Sequence, residues 1–235
     1  MDDNTVLVIT AHPDDVDFGA AGTVASWTAA GASVTYCVVT DGDAGGFDPN
    51  VPRREIGPIR RAEQIAAAGK VGVSNVIFLG YPDGRLTASI ELRRDLSRVI
   101  RKVRPSRVLC QSPERNYSRI FASHPDHLAA GEAALCAVYP DARNPFAHPE
   151  LGAEGLEAHT VGEVWMMGTE SPDTFVDITA TFDAKLAALR AHVSQLTDQD
   201  GKLEERMRGW GTHQAKAAGR PEGTLIEAFR RISTS

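Results

Sequence analysis

Residues 5–19 read Thr-Val-Leu-Val-Ile-Thr-Ala-His-Pro-Asp-Asp-Val-Asp-Phe-Gly, and the reading of the whole chain starts there. Thr5 to Thr10 form a short β-branched run without polar alternation, as expected of a central parallel strand covered on both faces. A polar loop follows at once, with His12, Asp14 and Asp15. An Ala-rich helical stretch, 19–30, then ends at Gly31. Strand, polar loop and helix in that order are the first unit of a wound α/β sheet.

The pattern repeats outward. Further strands are predicted at 33–40, 75–79, 107–110, 163–167 and 175–178. Helices are predicted at 59–69, with Gly69 as C-cap, and at 90–103, 126–138, 182–196 and 225–232. The Gly/Asp-rich stretch 41–52 reads as a ligand-facing loop, and 141–159 as irregular. We find no internal repeat and no linker composition. The expectation is one domain, 1–235, of the doubly wound α/β class, its sheet largely parallel and covered by helices on both faces. Ligands in such folds bind beyond the carboxyl ends of the strands.

Bulk properties narrow the function. Hydrophobic residues make up 42% of the 235, enough for a substantial core. The net charge is −6 without a basic stripe, which argues against nucleic acid as a partner. No segment reads as a signal peptide or a membrane span. Cys37, Cys110 and Cys136 are far apart in apolar stretches and read as free thiols of a cytoplasmic protein. The sequence sets no oligomeric state.

Two clusters carry the chemistry. Ala11-His12-Pro13-Asp14-Asp15 follows the first strand; Ser123-His124-Pro125-Asp126-His127 follows the fourth strand and its loop. A catalytic zinc site uses three N or O protein ligands and leaves a position for water. His12 and Asp15 supply two ligands and His127 the third. Asp14, beside the metal but not needed as a ligand, is a natural general base. Taken singly, each carboxylate is more simply a helix cap and each His-Pro-Asp a loop. Two such clusters at matched positions make coincidence a poor account. The donor set suits Zn²⁺ and also accepts Fe²⁺, Co²⁺ or Mn²⁺.

The segments AHPDDVDFGAAGTVA and SHPDHLAAGEAAL resemble the two signatures of the LmbE/PIG-L-like N-deacetylase family. TDGDAGG, RRAEQIAAAGKVGV, FLGYPDGRL, DITATFDAKLAALRAHVSQL and EAFRRI extend the likeness over nearly the whole chain. The resemblance implies a Rossmann-like fold and metal-dependent hydrolysis of an N-acetyl group on an N-acetylglucosaminyl small molecule or glycosylated natural product. By position it implies His12, Asp15 and His127 as ligands and Asp14 as general base. It implies His124 as a second catalytic residue and Asp126 as a carboxylate tuning a neighbouring histidine, which we read as His124. Arg60 and Asp83 match sugar-holding positions. The chain departs from the family pattern at Val16-Asp17, where Glu usually follows the paired aspartates. It departs again at Asp43, where Glu is commoner; we read Asp43 as bearing on substrate choice.

Other residues read as follows. Tyr117 and Arg119 are placed near the pocket. His148, His159 and His213 read as surface or loop residues, His192 as structural and Trp27 as core. Two rivals stand. A metal-dependent phosphoesterase often needs two metals about 3.5–4 Å apart, and the ligand count is short for that. A non-hydrolytic nucleotide- or metal-binding domain lacks a Gly-rich phosphate loop in the first turn.

Overall fold

The computed structural model describes residues 4–196 and 201–234. The elements run β1 (Thr5–Thr10), α1 (Asp15–Gly19), α2 (Ala21–Ala29), β2 (Ser33–Thr40), α3 (Arg53–Lys70), β3 (Asn75–Tyr81), α4 (Ile90–Val103) and β4 (Arg107–Gln111). They continue with α5 (Pro125–Cys136), α6 (Pro149–Ala153), β5 (Glu163–Met167), β6 (Thr174–Asp177), α7 (Phe182–Leu189), α8 (Leu203–Ala217) and β7 (Ile226–Ser233).

One sheet holds all seven described strands in the order β3-β2-β1-β4-β5-β7-β6. The first five pair in parallel. β7 is antiparallel to both β5 and β6. The chain winds outward one way from β1 through β2 to β3, then returns to lay β4 on the other side of β1. The winding reverses between β1 and β4, which makes their carboxyl ends the crevice of the sheet.

The strands alternate between two buried layers. Leu7 and Ile9 pack with Leu92, Leu96 and Ile100 of α4 and Ala133 of α5. Val6 and Val8 face the other way, with Val24 of α2, Ala67 and Ala68 of α3 and Ala188 of α7. Period-two side chains on a strand covered twice account for the uninterrupted apolar run of β1. Each Leu or Ile so buried contributes roughly 1.5–3 kcal/mol. Ser89 starts α4 as an N-cap, its side chain accepting from Leu92 N at 3.2 Å.

The largely parallel, doubly wound expectation is borne out, with corrections at several elements. The segment 225–232, read as a helix, is β7. Its apolar spacing suits a helix, but two open strand edges flank it, and ladders to β5 and β6 outweigh local preference. The helix read over 19–30 is α2, and the polar loop read before it carries the short α1, set off at Ala20 (φ −150°). The helix read over 182–196 stops at Leu189, and the irregular 141–159 contains α6. Gly69 lies inside α3; the left-handed turn that ends it falls on Gly72 (φ 78°). α8 was not expected at all.

Candidate metal centre

β1 ends in a loop that its neighbour holds open. Gln111, the last residue of β4, accepts the Ala11 backbone N–H at 2.9 Å. His12 N donates to Asp15 Oδ2 at 2.7 Å, which closes the loop over Pro13 and Asp14. Asp14 itself sits at φ 89°, a positive φ that is uncommon outside glycine although Asp tolerates it better than most residues. Across the crevice, Pro125 opens α5 at the position where a missing N–H costs nothing. That leaves His124 as the N-cap and puts Asp126 and His127 in the first turn.

Because β1 and β4 are direct neighbours, the two loops meet. His12 Nδ1 lies 3.1 Å from His127 Nε2. Asp15 Oδ1 lies 3.0 Å from His127 Nε2, and Asp15 Oδ2 lies 3.5 Å from His12 Nδ1. Donor bonds of about 2.0–2.2 Å in tetrahedral geometry separate ligand atoms by roughly 3.3 Å. The back of the His12 ring completes the fit. Its Nε2 is 3.0 Å from Asp83 Oδ1 and 3.3 Å from Asp126 Oδ2. With an ion bound, carboxylates there would hold the ring proton on Nε2 and leave the Nδ1 lone pair to the metal. The residues fit a metal ion. Two further donor groupings among the described residues, His12-His124-His127 and His12-Asp83-Asp126, share His12 with this set.

The electrostatics agree. Burial opposes a charge on His12, but Asp126, Asp15 and Asp83 outweigh it and push the imidazole up to about 12. Burial also opposes the Asp15 charge, yet His127 and His12 hold that carboxyl far below the usual range. Against the same burial, His12 brings Asp83 down to about 2 and lowers Asp126. Burial, then repulsion by Asp15, raises Asp14 to about 7, with Arg60 pulling the other way. His124 is lowered by burial and by the neighbouring His12 and His127. Three carboxylates around one imidazole make a seat for positive charge.

One pairing differs from its sequence reading, and the other residues have definite partners. The Asp126 carboxylate meets His12, not His124. The first turn of α5 directs it inward, where it also accepts Gly84 N at 2.7 Å and Leu86 N at 3.1 Å. Only its backbone N–H touches His124, donating to Nδ1 at 3.2 Å. Asp83 backs His12 and accepts Ala44 N at 3.1 Å. Arg60 is 4% exposed, and its guanidinium is bound to Gly42 O, Pro13 O and Asp14 Oδ2 at 2.9, 2.7 and 3.1 Å. A Cβ at Gly42 (φ 63°) would collide with that guanidinium. Asp43 accepts from Arg53 Nε at 2.6 Å and from Asp83 N at 3.1 Å, bracing the turn that carries Asp83.

The site opens into a cavity of about 790 Å³. His12, Asp14, Asp83 and His124 line it, together with Met207, Trp210 and His213 of α8. Arg119 reaches the lining, whereas Tyr117 is 84% exposed. His213 therefore belongs to the cavity wall, and His159, read as a surface residue, is buried against Pro105 O at 2.7 Å. His148 faces Asp141 at 3.4 Å. His192 is fully buried on Asp17, and Trp27 stacks edge-on to Trp165. The α8 wall went unread because its stripe is weak: Gly209 and Gly211 interrupt it, and its polar residues face the cavity and solvent.

Residues 7–138 match the family described as PIG-L, GlcNAc-PI de-N-acetylase. The chain is 36% identical over 200 residues to the diacetylchitobiose deacetylase of Thermococcus kodakarensis, covering 85% of this chain and 73% of that one. It is 33% identical over 212 residues to the "Probable N-acetyl-alpha-D-glucosaminyl L-malate deacetylase 2" of Bacillus cereus, covering 86% and 90%. Its fold superposes on the N,N'-diacetylchitobiose deacetylase of Pyrococcus horikoshii with TM-score 0.90 at 31% identity, over 99% of this chain and 85% of that one.

Proposed function

The chain belongs to the PIG-L, GlcNAc-PI de-N-acetylase, family, and from that premise we propose that the whole chain, 1–235, is one N-deacetylase domain acting on an N-acetylglucosaminyl small molecule. The observation that carries the reading is the set of His12, Asp15 and His127 donors within 3.0–3.5 Å of one another, with Asp14 beside them at the cavity wall. Relatives that act on diacetylchitobiose and on N-acetylglucosaminyl malate favour a sugar-borne acetamide as the substrate. The free thiols of Cys37, Cys110 and Cys136 fit a reducing, cytoplasmic setting.

His12, Asp15 and His127 would hold the ion, Zn²⁺ by donor type. When bound it supplies Lewis acidity, polarising the amide carbonyl and acidifying water. The Asp14 carboxylate, raised toward neutrality by burial, takes the proton of the attacking water. Arg60 holds that carboxylate in place through Nη2 at 3.1 Å. His124 accepts the Asp126 N–H at Nδ1, so its own proton is on Nε2, where it donates a hydrogen bond to the oxyanion, and the proton taken up by Asp14 passes to the leaving amine. Asp126 and Asp83 orient His12 from behind.

The test is a free-amine assay on a panel of N-acetylglucosaminyl conjugates, with metal analysis. Asp14→Asn is expected to keep one metal per chain and lose roughly 10²–10⁴-fold in turnover. His12→Ala is expected to lose the metal as well. Near-normal turnover in Asp14→Asn, or phosphate release from model esters in place of amine release, would overturn the reading.

A further inference from the structure

The left-handed Asp14 is gripped from a direction that its role as general base does not explain. Its backbone N–H donates to Gln64 Oε1 at 2.7 Å. Gln64 is fully buried, and its Nε2 donates to Asp17 Oδ2 at 3.0 Å. The same oxygen receives His192 Nε2 at 2.7 Å, with both side chains at 0% exposure. These contacts fix the amide of Gln64 without ambiguity. An N–H at Asp14 only donates and a carboxylate at Asp17 only accepts, so the Gln64 oxygen must face Asp14 and its NH₂ must face Asp17.

The three anchors come from three elements. Gln64 is on α3, one turn after Arg60, which binds Pro13 O and the Asp14 carboxylate. Asp17 is on α1, and His192 follows α7. The pair is not optimised for stability: Asp17 Oδ1 and His192 Nδ1 are buried without a hydrogen-bond partner. A buried polar atom without a partner costs a fold free energy that an apolar contact of the same shape would not.

We propose that Gln64 is a positioning residue for the reaction, oriented by the Asp17–His192 pair, which locks the Asp14 backbone left-handed and so aims its carboxylate at the substrate. This rests on Asp14 as the general base. Removing the acceptor frees the Asp14 peptide to relax toward an ordinary conformation and swings the carboxylate off its line. The ligands, held by their own contacts, stay.

The experiment compares Gln64→Met in the wild-type and Asp14→Asn backgrounds, with metal content, thermal midpoint and the Asp14 amide NMR signal measured on each metal-loaded protein. In the wild-type background we expect metal content to be kept, the Asp14 amide to shift and exchange faster, and kcat to fall roughly 10- to 100-fold with KM little changed. In the Asp14→Asn background the same substitution is expected to have no further effect on residual turnover, because the group it positions is gone. Gln64→Glu, which keeps an acceptor for the Asp14 amide, is expected to recover part of the loss and serves as the second variant should Gln64→Met not fold. Equal losses of kcat in both backgrounds, or an unaltered Asp14 amide, would overturn the proposal. If the wild-type protein releases no amine from any conjugate, the deacetylase reading fails, and the amide signal still decides whether Gln64 holds Asp14.

Discussion

At the scale of single residues, the two His-Pro-Asp clusters were legible because residue type and chemistry coincide there. A histidine, a carboxylate and a second histidine after strand ends have few other uses in common. The partners of those residues were not legible. Asp126 reads as the companion of His124 because the two are sequence neighbours. Its carboxylate instead crosses to His12, more than a hundred residues away in the chain, and sits 3.3 Å from Nε2. Asp126→Asn preserves the shape and the acceptor for Leu86 N but removes the charge behind His12. We expect metal affinity to fall about 10- to 100-fold, measured by competition with a chromogenic chelator. Unchanged affinity would show that Asp83 alone suffices to orient the ring.

At the scale of elements, strands were easier to read than helices near the end of the chain. β1 and β2 are buried on both faces, so their composition reports their state directly. β7 does not, since five of its eight residues face partial or full solvent and its strand state comes from the edges of β5 and β6. The placement of α5 shows how an element delivers a ligand. Gly131, one turn after His127, lets the helix pass so close that a Cβ there would collide with the backbone carbonyl of Gln111. Gly131→Ala must push α5 off the end of β4 and move His127 with it. A cost of about 1–3 kcal/mol is expected, or a melting temperature lower by roughly 2–12 °C, together with weaker metal binding. A variant as stable as the parent and with full metal content would show that the helix absorbs the methyl without shifting.

At the scale of the whole molecule, the site is a place of concentrated negative charge that the fold must support. Asp15, Asp83 and Asp126 surround His12, and an ion bound there would favour the folded chain over the unfolded one. Metal at about 100 times its dissociation constant should stabilise by roughly 2.7 kcal/mol, several degrees in melting temperature for a chain of this size. Calorimetry with and without a chelator checks this; coincident transitions would mean that the fold is indifferent to the ion.

The sequence alone marks a wound α/β chain and two His/Asp clusters after strand ends, since those features depend on composition and short spacing. The three-dimensional arrangement alone decided that β1 and β4 touch, that Asp83 and Asp126 stand behind His12, that α8 walls the cavity, and that Gln64, Asp17 and His192 hold Asp14. Each of these is a contact between segments tens to hundreds of residues apart, set by packing over the whole sheet, and no local pattern of residues encodes it.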